Sequence, residues 1–503
     1  MTKVGIGQAA PYATGAYFVL FLAAQASAEF IQPSDLVVPL VIACGVAAAA
    51  HLGGWLLTRA PDKAALIAVV VSVVFSSLGL VVNSLAEADA LGIPGGMWVP
   101  IILMAIVAVA STFAIARMSR SFAGVLPVIT GVAAGLSLFN VVGGGHLLAD
   151  RSPPGMLRSS EIAAPPLPTG TQPPDVYLII VDKYTGSDVL ASQYAFDNSP
   201  FTDFLRRRGF TVPPASRTNY VQTFLSLGSM LNVEYLDWLP DSLGIDNPRW
   251  ADAYHLVENN RVASFLRERG YRFVFLPNAY GVSRENRYAD VQLPDPKDIR
   301  PEFVTAWLAT TAAPVFQYLA CRLTGCPPSG GGFIPETATM FDWKFAALAA
   351  LPGGRQPLFV LAHLGLPHEP YVYAADCRHR SPYWPLHDTG EEAPKVRAAY
   401  LDQVRCLNRK LTELITRLQD SSSVPPVILI LGDHGHGLLG RNLPGLSKAF
   451  PWQVTDRVSA FAAYAVPGMP PSALPDSVTP INGIRAMLRH TFGADLTPLE
   501  DAT

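Results

Sequence analysis

Aspartate and histidine recur at the ends of short apolar runs in the second half of this chain. Asp182 follows Leu178-Ile-Ile-Val181, and Gly432-Asp433-His434-Gly435 follows Val427-Ile-Leu-Ile-Leu431. His363 follows Leu358-Phe-Val-Leu-Ala362, and Leu366-Pro-His368-Glu-Pro-Tyr371 supplies a second histidine. Six of the ten histidines lie between 363 and 436. Carboxylate oxygen and imidazole nitrogen together form a mixed donor set that suits Zn²⁺ or Mn²⁺, with Mg²⁺ the alternative. Singly, each residue has an ordinary explanation as a helix cap or a turn residue. Three such coincidences at strand ends point to one divalent-metal site.

The elements that must carry these residues are legible from the same runs. Continuous apolar stretches of this length are the pattern of buried parallel strands, and they recur at 175–181, 273–276, 358–362, 427–431 and 460–466. Helical stretches at 199–208, 224–233, 259–269, 338–350, 395–419 and 480–492 alternate with them. The expected fold is an α/β domain around a mostly parallel sheet, with its site at the strand carboxyl ends. Seven prolines in 151–174 make that segment a stiff tether, so the α/β domain is expected over 175–503.

Residues 1–150 are of a different kind. Of the chain's 37 basic and 40 acidic residues, only 11 lie there. Between them run uncharged stretches at 4–28, 36–58, 64–86, 90–116 and 121–149, each of a length that covers a bilayer core as a helix. Five transmembrane helices are therefore expected. Lys3, Arg59, Lys63, Arg117 and Arg120 all fall in alternate loops, while the intervening loops carry only acidic residues. That asymmetry places the amino terminus in the cytoplasm and residues 151–503 outside it. A cleaved signal peptide does not explain four further spans. The near-neutral balance of the second part leaves no basic stripe for nucleic acid. Residues 302–320 are apolar enough to lie along a membrane surface, although they read better as an ordinary core helix.

Four of the five cysteines, Cys321, Cys326, Cys377 and Cys406, lie in the second part, which in an oxidising compartment reads as two disulfides. Three pairings are open. One joins Cys321 to Cys326 across a short turn and Cys377 to Cys406. The spacings fit no zinc-knuckle pattern.

The α/β part resembles the sulfatase-like branch of the alkaline phosphatase superfamily, and within it membrane-anchored proteins related to phosphoethanolamine transferases and lipoteichoic acid synthases. The stretches that carry the resemblance are 174–185, Asn219-Tyr-Val-Gln-Thr-Phe-Leu-Ser-Leu-Gly-Ser-Met-Leu231, His363 through Tyr371, Gly432-Asp-His-Gly435, 456–464 and Thr479-Pro-Ile-Asn482, in the family's order. Asp-His-Gly alone is a weak motif; the ordered set is strong. The resemblance implies metal ligands at Asp182, Asp433 and His434, and a nucleophile that also touches the metal at Thr223. It further implies substrate contacts from His363, His368, His436, Lys183 and Asn219. Where sulfatases carry Cys-x-Pro-x-Arg, this chain has Thr223, Leu225 and Leu227, which argues against sulfate esters and for phosphoryl chemistry.

Taken together, these features lead us to expect a bacterial inner-membrane, multi-pass enzyme with a periplasmic catalytic domain. It would move a phosphoethanolamine- or phosphoglycerol-type headgroup from a phospholipid donor to a glycan or lipid acceptor. The alternatives are a phosphodiester, phosphate or sulfate-ester hydrolase with the same site, and an inactive membrane scaffold.

Overall fold

The computed structural model describes residues 5–25, 31–87, 98–143, 161–167, 170, 172–243, 251–295, 298–317, 336–352, 354, 356–380, 393–437 and 451–500. The chain divides into two compact units, Met1–Ser152 with Arg300–Pro327, and Pro153–Ile299 with Pro328–Thr503.

The first unit is built on α1 (Ala10–Gln25), α2 (Val37–Thr58), α3 (Pro61–Glu87), α4 (Trp98–Arg117) and α5 (Leu126–Gly143). Among the described residues, four stretches are long and apolar enough to cross a membrane: Ile6–Gln25, Pro33–Thr58, Pro61–Val82 and Val99–Arg117. The fifth, Leu126–Val142, is apolar but shorter within the described residues, where five full spans were expected. Its late start has a local cause. Asp62 accepts hydrogen bonds from Ser121 Oγ (2.8 Å) and Phe122 N (2.6 Å), which hold the start of that run in a turn rather than a helix. Small residues line the helix contacts, with Ala43, Ala47, Ala64, Ala65 and Ala68 all buried.

The second unit surrounds a six-stranded sheet of β1 (Val176–Asp182), β2 (Arg272–Leu276), β3 (Val291–Gln292), β4 (Leu358–Pro367), β5 (Val427–Gly432) and β6 (Ala462–Ala465). The order is β3-β2-β4-β1-β5-β6. All pairings are parallel except β5 with β6. Every residue of β1 is buried, which is why its sequence is continuously apolar up to its final residue, Asp182, rather than alternating. Ile180 of β1 stands opposite His363 on one side and Leu431 on the other, so the carboxyl ends of the three central strands converge. The helices here include α6 (Ser187–Tyr194), α7 (Ser199–Arg207), α8 (Thr223–Asn232), α9 (Leu239–Leu243), α10 (Ala251–Glu258) and α11 (Arg261–Glu268).

The chain then passes back to the first unit through α12 (Glu302–Thr310), within the stretch read as a core helix or a membrane-surface helix. It is a core helix, packed on α3 with Phe303, Val304, Trp307 and Leu308 buried. Trp307 lies 6.5 Å from Phe75 between ring centroids, Ala312 N donates to Phe75 O, and Ala312 and Val315 cluster with Leu78 and Val82. Gly79 permits the approach, because a Cβ there would overlap the carbonyl oxygens of Ala309 and Thr311. Back in the second unit follow α13 (Ala338–Ala349), α14 (Ala393–Ser421), α15 (Pro451–Val458) and α16 (Pro480–Phe492). A disulfide joins Cys377 to Cys406 of α14; Cys321 and Cys326 lie outside the described residues.

Candidate metal centre

Asp182 is the last residue of β1, Asp433 and His434 follow β5, and Thr223 opens α8. All four are buried. Their atoms meet. One ligand atom each from Asp182, Asp433 and His434 lies within 4.8 Å of the others. Thr223 Oγ1 is 3.2 Å from His434 Nε2, which is 3.3 Å from Asp433 Oδ2. Gln222 takes the cap position of α8, so the Thr223 hydroxyl is not spent on capping.

Local structure locks each group. Lys183 sits in the left-handed region (φ 61°), which turns its N–H onto Asp433 Oδ1 at 3.0 Å; the His434 N–H bonds the same oxygen at 2.8 Å. Ser226 Oγ donates to Asp433 O (2.6 Å) and ties α8 to the loop after β5. Gly435 is required by crowding, since a Cβ there would overlap the Asp456 carbonyl. His434 Nδ1 lies 2.9 Å from Gly435 O, a carbonyl that can only accept. The ring proton therefore sits on Nδ1, and the Nε2 lone pair faces the cluster.

Two buried oxygens, Asp182 Oδ1 and Asp433 Oδ2, have no hydrogen-bond partner. Burial lifts the Asp182 carboxyl well above the ordinary carboxylate value, and the neighbouring Asp433 charge lifts it further. Burial likewise raises Asp433 and pushes His434 well below the usual imidazole value. Buried carboxylates and a neutral imidazole, with unpartnered atoms converging, fit a divalent cation.

Around this centre the other candidates separate. Lys183 Nζ pairs with both Glu369 oxygens at 2.9 and 3.0 Å. Burial would raise Glu369, but the charges of His368 and Lys183 outweigh it and hold the carboxyl well below its usual range. His368 is partly exposed just beyond β4. Asn219 lies partly buried in the segment before α8. His363 is inside β4, buried, with Nε2 3.7 Å from Asp182 Oδ2; burial lowers its pKa to about 3. His436 is buried. Tyr371 Oη (2.8 Å) and Tyr194 Oη (3.3 Å) occupy its two ring nitrogens, the Tyr400 ring lies 4.1 Å away at a 40° tilt, and burial lowers its pKa to about 3.

Three neighbours escaped the sequence reading as individual residues. Asp456 is buried and accepts from Tyr194 Oη (2.6 Å) and Thr185 Oγ1 (3.0 Å). Arg457 donates to Val221 O (2.9 Å) and sets a positive charge beside Asp433 and His434. Glu369 is the third. The signal was available: a charged residue between His368 and Pro370, and an Asp-Arg pair just before an apolar strand.

No family model matches this chain, and no curated protein does. Several solved structures are similar to it. The integral membrane lipooligosaccharide phosphoethanolamine transferase A of Neisseria meningitidis is 14% identical, with 98% of this chain and 96% of that chain covered and a TM-score of 0.45. The zinc complex of the C-terminal periplasmic domain of EptC from Escherichia coli is 13% identical over 66% of this chain and 87% of that one, with a TM-score of 0.41. A protein of the alkaline phosphatase superfamily from Vibrio parahaemolyticus is 13% identical over 67% and 71%, also at 0.41. These likenesses are distant, and the chemistry of the site rests on its own side chains.

Proposed function

We propose that this protein is a metal-dependent, membrane-anchored phosphoryl-group transferase with Thr223 as nucleophile. One observation carries the reading. Thr223 Oγ1 stands at the amino end of α8, 3.2 Å from an imidazole lone pair and beside two carboxylate oxygens that have no other partner.

Asp182, Asp433 and His434 would hold one dication, Zn²⁺ or Mn²⁺ by donor type. A bound dication activates a coordinated hydroxyl by lowering its pKa and neutralises charge on a phosphoryl oxygen. The chain supplies the rest. The dipole at the amino end of α8 favours an anionic phosphate. Lys183 and Arg457 add positive charge at the rim. His368, partly exposed and held neutral by burial, which lowers its pKa to about 4, is the group we assign to taking the Thr223 Oγ1 proton and handing it to the departing alcohol. The bond from Thr223 Oγ1 to phosphorus forms as the bond to the donor alcohol breaks. In the second half an acceptor hydroxyl attacks phosphorus, and the Thr223 oxygen leaves.

The donor we infer is a phospholipid headgroup of phosphoethanolamine or phosphoglycerol type, and the acceptor a glycan or lipid. Tethering to apolar helices concentrates the site at a lipid surface. The basic loops support a cytoplasmic amino terminus and an extracytoplasmic catalytic unit, and the Cys377–Cys406 disulfide fits an oxidising compartment. A reporter fused after Thr503 tests that topology.

The decisive experiment is Thr223→Ala with a labelled phospholipid donor. Turnover should fall at least about a thousandfold, with folding and metal content unchanged. Wild-type protein given donor and no acceptor should yield a phosphothreonine on the Thr223 peptide by mass spectrometry. Near wild-type activity in Thr223→Ala would refute the covalent route and leave water, giving a hydrolase, as the simplest acceptor.

A further inference from the structure

His363 was expected to touch substrate, but its surroundings suit a different task. It lies within β4, opposite Ile180 of β1, and is 1% exposed. Its Nδ1 has two neighbours, Ser283 Oγ at 2.7 Å and Asn278 Nδ2 at 3.0 Å. The orientation of the Asn278 amide follows from its other bonds: Oδ1 accepts from Tyr280 N at 2.9 Å, and Nδ2 donates to His363 O at 3.1 Å. The group facing Nδ1 is therefore an NH₂, which can only donate. Ser283 Oγ–H can donate to the same atom. Nδ1 must then be the unprotonated acceptor, and the ring proton belongs on Nε2.

Nε2 has no other partner, and its nearest acidic atom is Asp182 Oδ2 at 3.7 Å. The second Asp182 oxygen, Oδ1, is the one left unpartnered. The carboxylate thus presents two distinct faces, one to an imidazole N–H and one free. This is the reverse of His434, whose carbonyl-bound Nδ1 proton leaves the Nε2 lone pair open.

We propose that His363 is a positioning residue and not a ligand or a substrate contact: its Nε2–H holds Oδ2 of Asp182 and leaves the unpartnered Oδ1 for the ion. The inference rests on the metal-centre reading above. A movement of about half an ångström brings the pair to hydrogen-bonding distance. Partners of this kind, one bond removed from the metal, typically contribute tenfold to a hundredfold in metal affinity. Asn278 is the next link, because its NH₂ fixes the tautomer, and Ser283 Oγ–H adds a second donor to the same nitrogen.

The test uses full-length protein in detergent, with Zn²⁺ affinity read by chelator competition and Co²⁺ absorption reporting the coordination sphere. His363→Leu removes the donor and should weaken Zn²⁺ binding tenfold to a hundredfold. His363→Gln restores an N–H of similar reach and should bind within a few-fold of wild type. Ser283→Ala leaves the Asn278 donor and the tautomer in place and should match wild type. The Co²⁺ spectra of wild type and His363→Gln should coincide. Wild-type affinity in His363→Leu would overturn the inference, as would a His363→Gln protein as weak as His363→Leu. A changed Co²⁺ spectrum in His363→Gln would make the histidine a ligand and overturn it too. A wild-type protein that takes up neither ion would instead sink the metal-centre reading itself.

Discussion

Asp433→Asn is the substitution whose outcome the geometry specifies in most detail. Oδ1 of Asp433 accepts from two backbone N–H groups, those of Lys183 and His434, while Oδ2 is the unpartnered atom. An asparagine must keep its carbonyl oxygen toward the two N–H groups, since an NH₂ there would oppose donor to donor. Its NH₂ then takes the Oδ2 position, 3.3 Å from His434 Nε2 in the native geometry. One change removes a charged ligand and aims a donor at the lone pair of another. The loss of metal affinity should exceed the roughly hundredfold upper range of an outer-sphere partner. At a metal concentration about 1,000 times the wild-type Kd, binding stabilises the native protein by about 4.1 kcal/mol. A hundredfold weaker site at that concentration retains about 1.4 kcal/mol. The ion-free protein should move the other way. Burial raises both Asp182 and Asp433, so neutralising one carboxylate relieves the apo site. Thermal melts with and without Zn²⁺ therefore give opposite signs: an apo Tm at or above wild type and a metal-induced stabilisation cut to about a third or less. An Asp433→Asn protein with an unchanged metal-induced rise, or a lower apo Tm, would refute the reasoning.

Other measurements reach different parts of the molecule. Glu258 receives Arg287 Nε and Nη2 at 2.8 Å each; burial opposes ionisation, but His255 and Arg287 bring its pKa to about 2 from 4.5. A depressed carboxyl stabilises above its unfolded pKa and loses that contribution as pH falls toward the folded value. Arg287→Ala should thus cost about 1–2 kcal/mol at pH 7, after discounting for the half-exposed arginine, and little near pH 2; denaturant melts at the two pH values check this. Peptide mapping without reductant should return Cys377 joined to Cys406, and Cys377→Ser should lower stability by about 2–4 kcal/mol, measured by the same melts. Equal stability of the reduced and oxidised protein would count against that contribution.

The parts of this fold that were legible share a physical reason. Central parallel strands are buried on both faces, so they must be apolar throughout, and the first polar residue after each marks a strand end. That logic located Asp182 and Asp433. It misplaced His363, because β4 continues through His363 to Pro367. A histidine can remain inside a strand when its polar atoms are met within the fold, and here Ser283 and Asn278 come from a distant loop that spacing does not reveal. His436 shows the same limit. Adjacent to Asp433-His434-Gly435 it looks like part of the motif, yet its ring nitrogens are met by Tyr371 and Tyr194 from remote segments. Helix α12 was ambiguous for another reason: an apolar face carries no address, and the glycine at position 79 that receives it is one small residue among many in the apolar helices.

That helix bears on how the catalytic half can be made in isolation. Because 300–327 belongs with the apolar helices, the polypeptide passes between the two units at three points, not one. Severing it within the proline-rich tether leaves a fragment that still carries α12, stripped of its seat. Phe303, Val304, Trp307 and Leu308, all buried in the intact chain, would then face water. At roughly 1.5–3 kcal/mol per side chain, their exposure is a strong incentive to self-associate or to adsorb on micelles. A fragment beginning at 175 should therefore elute as aggregates or detergent adducts, whereas one in which a short polar bridge also replaces 300–327 should run as a monomer.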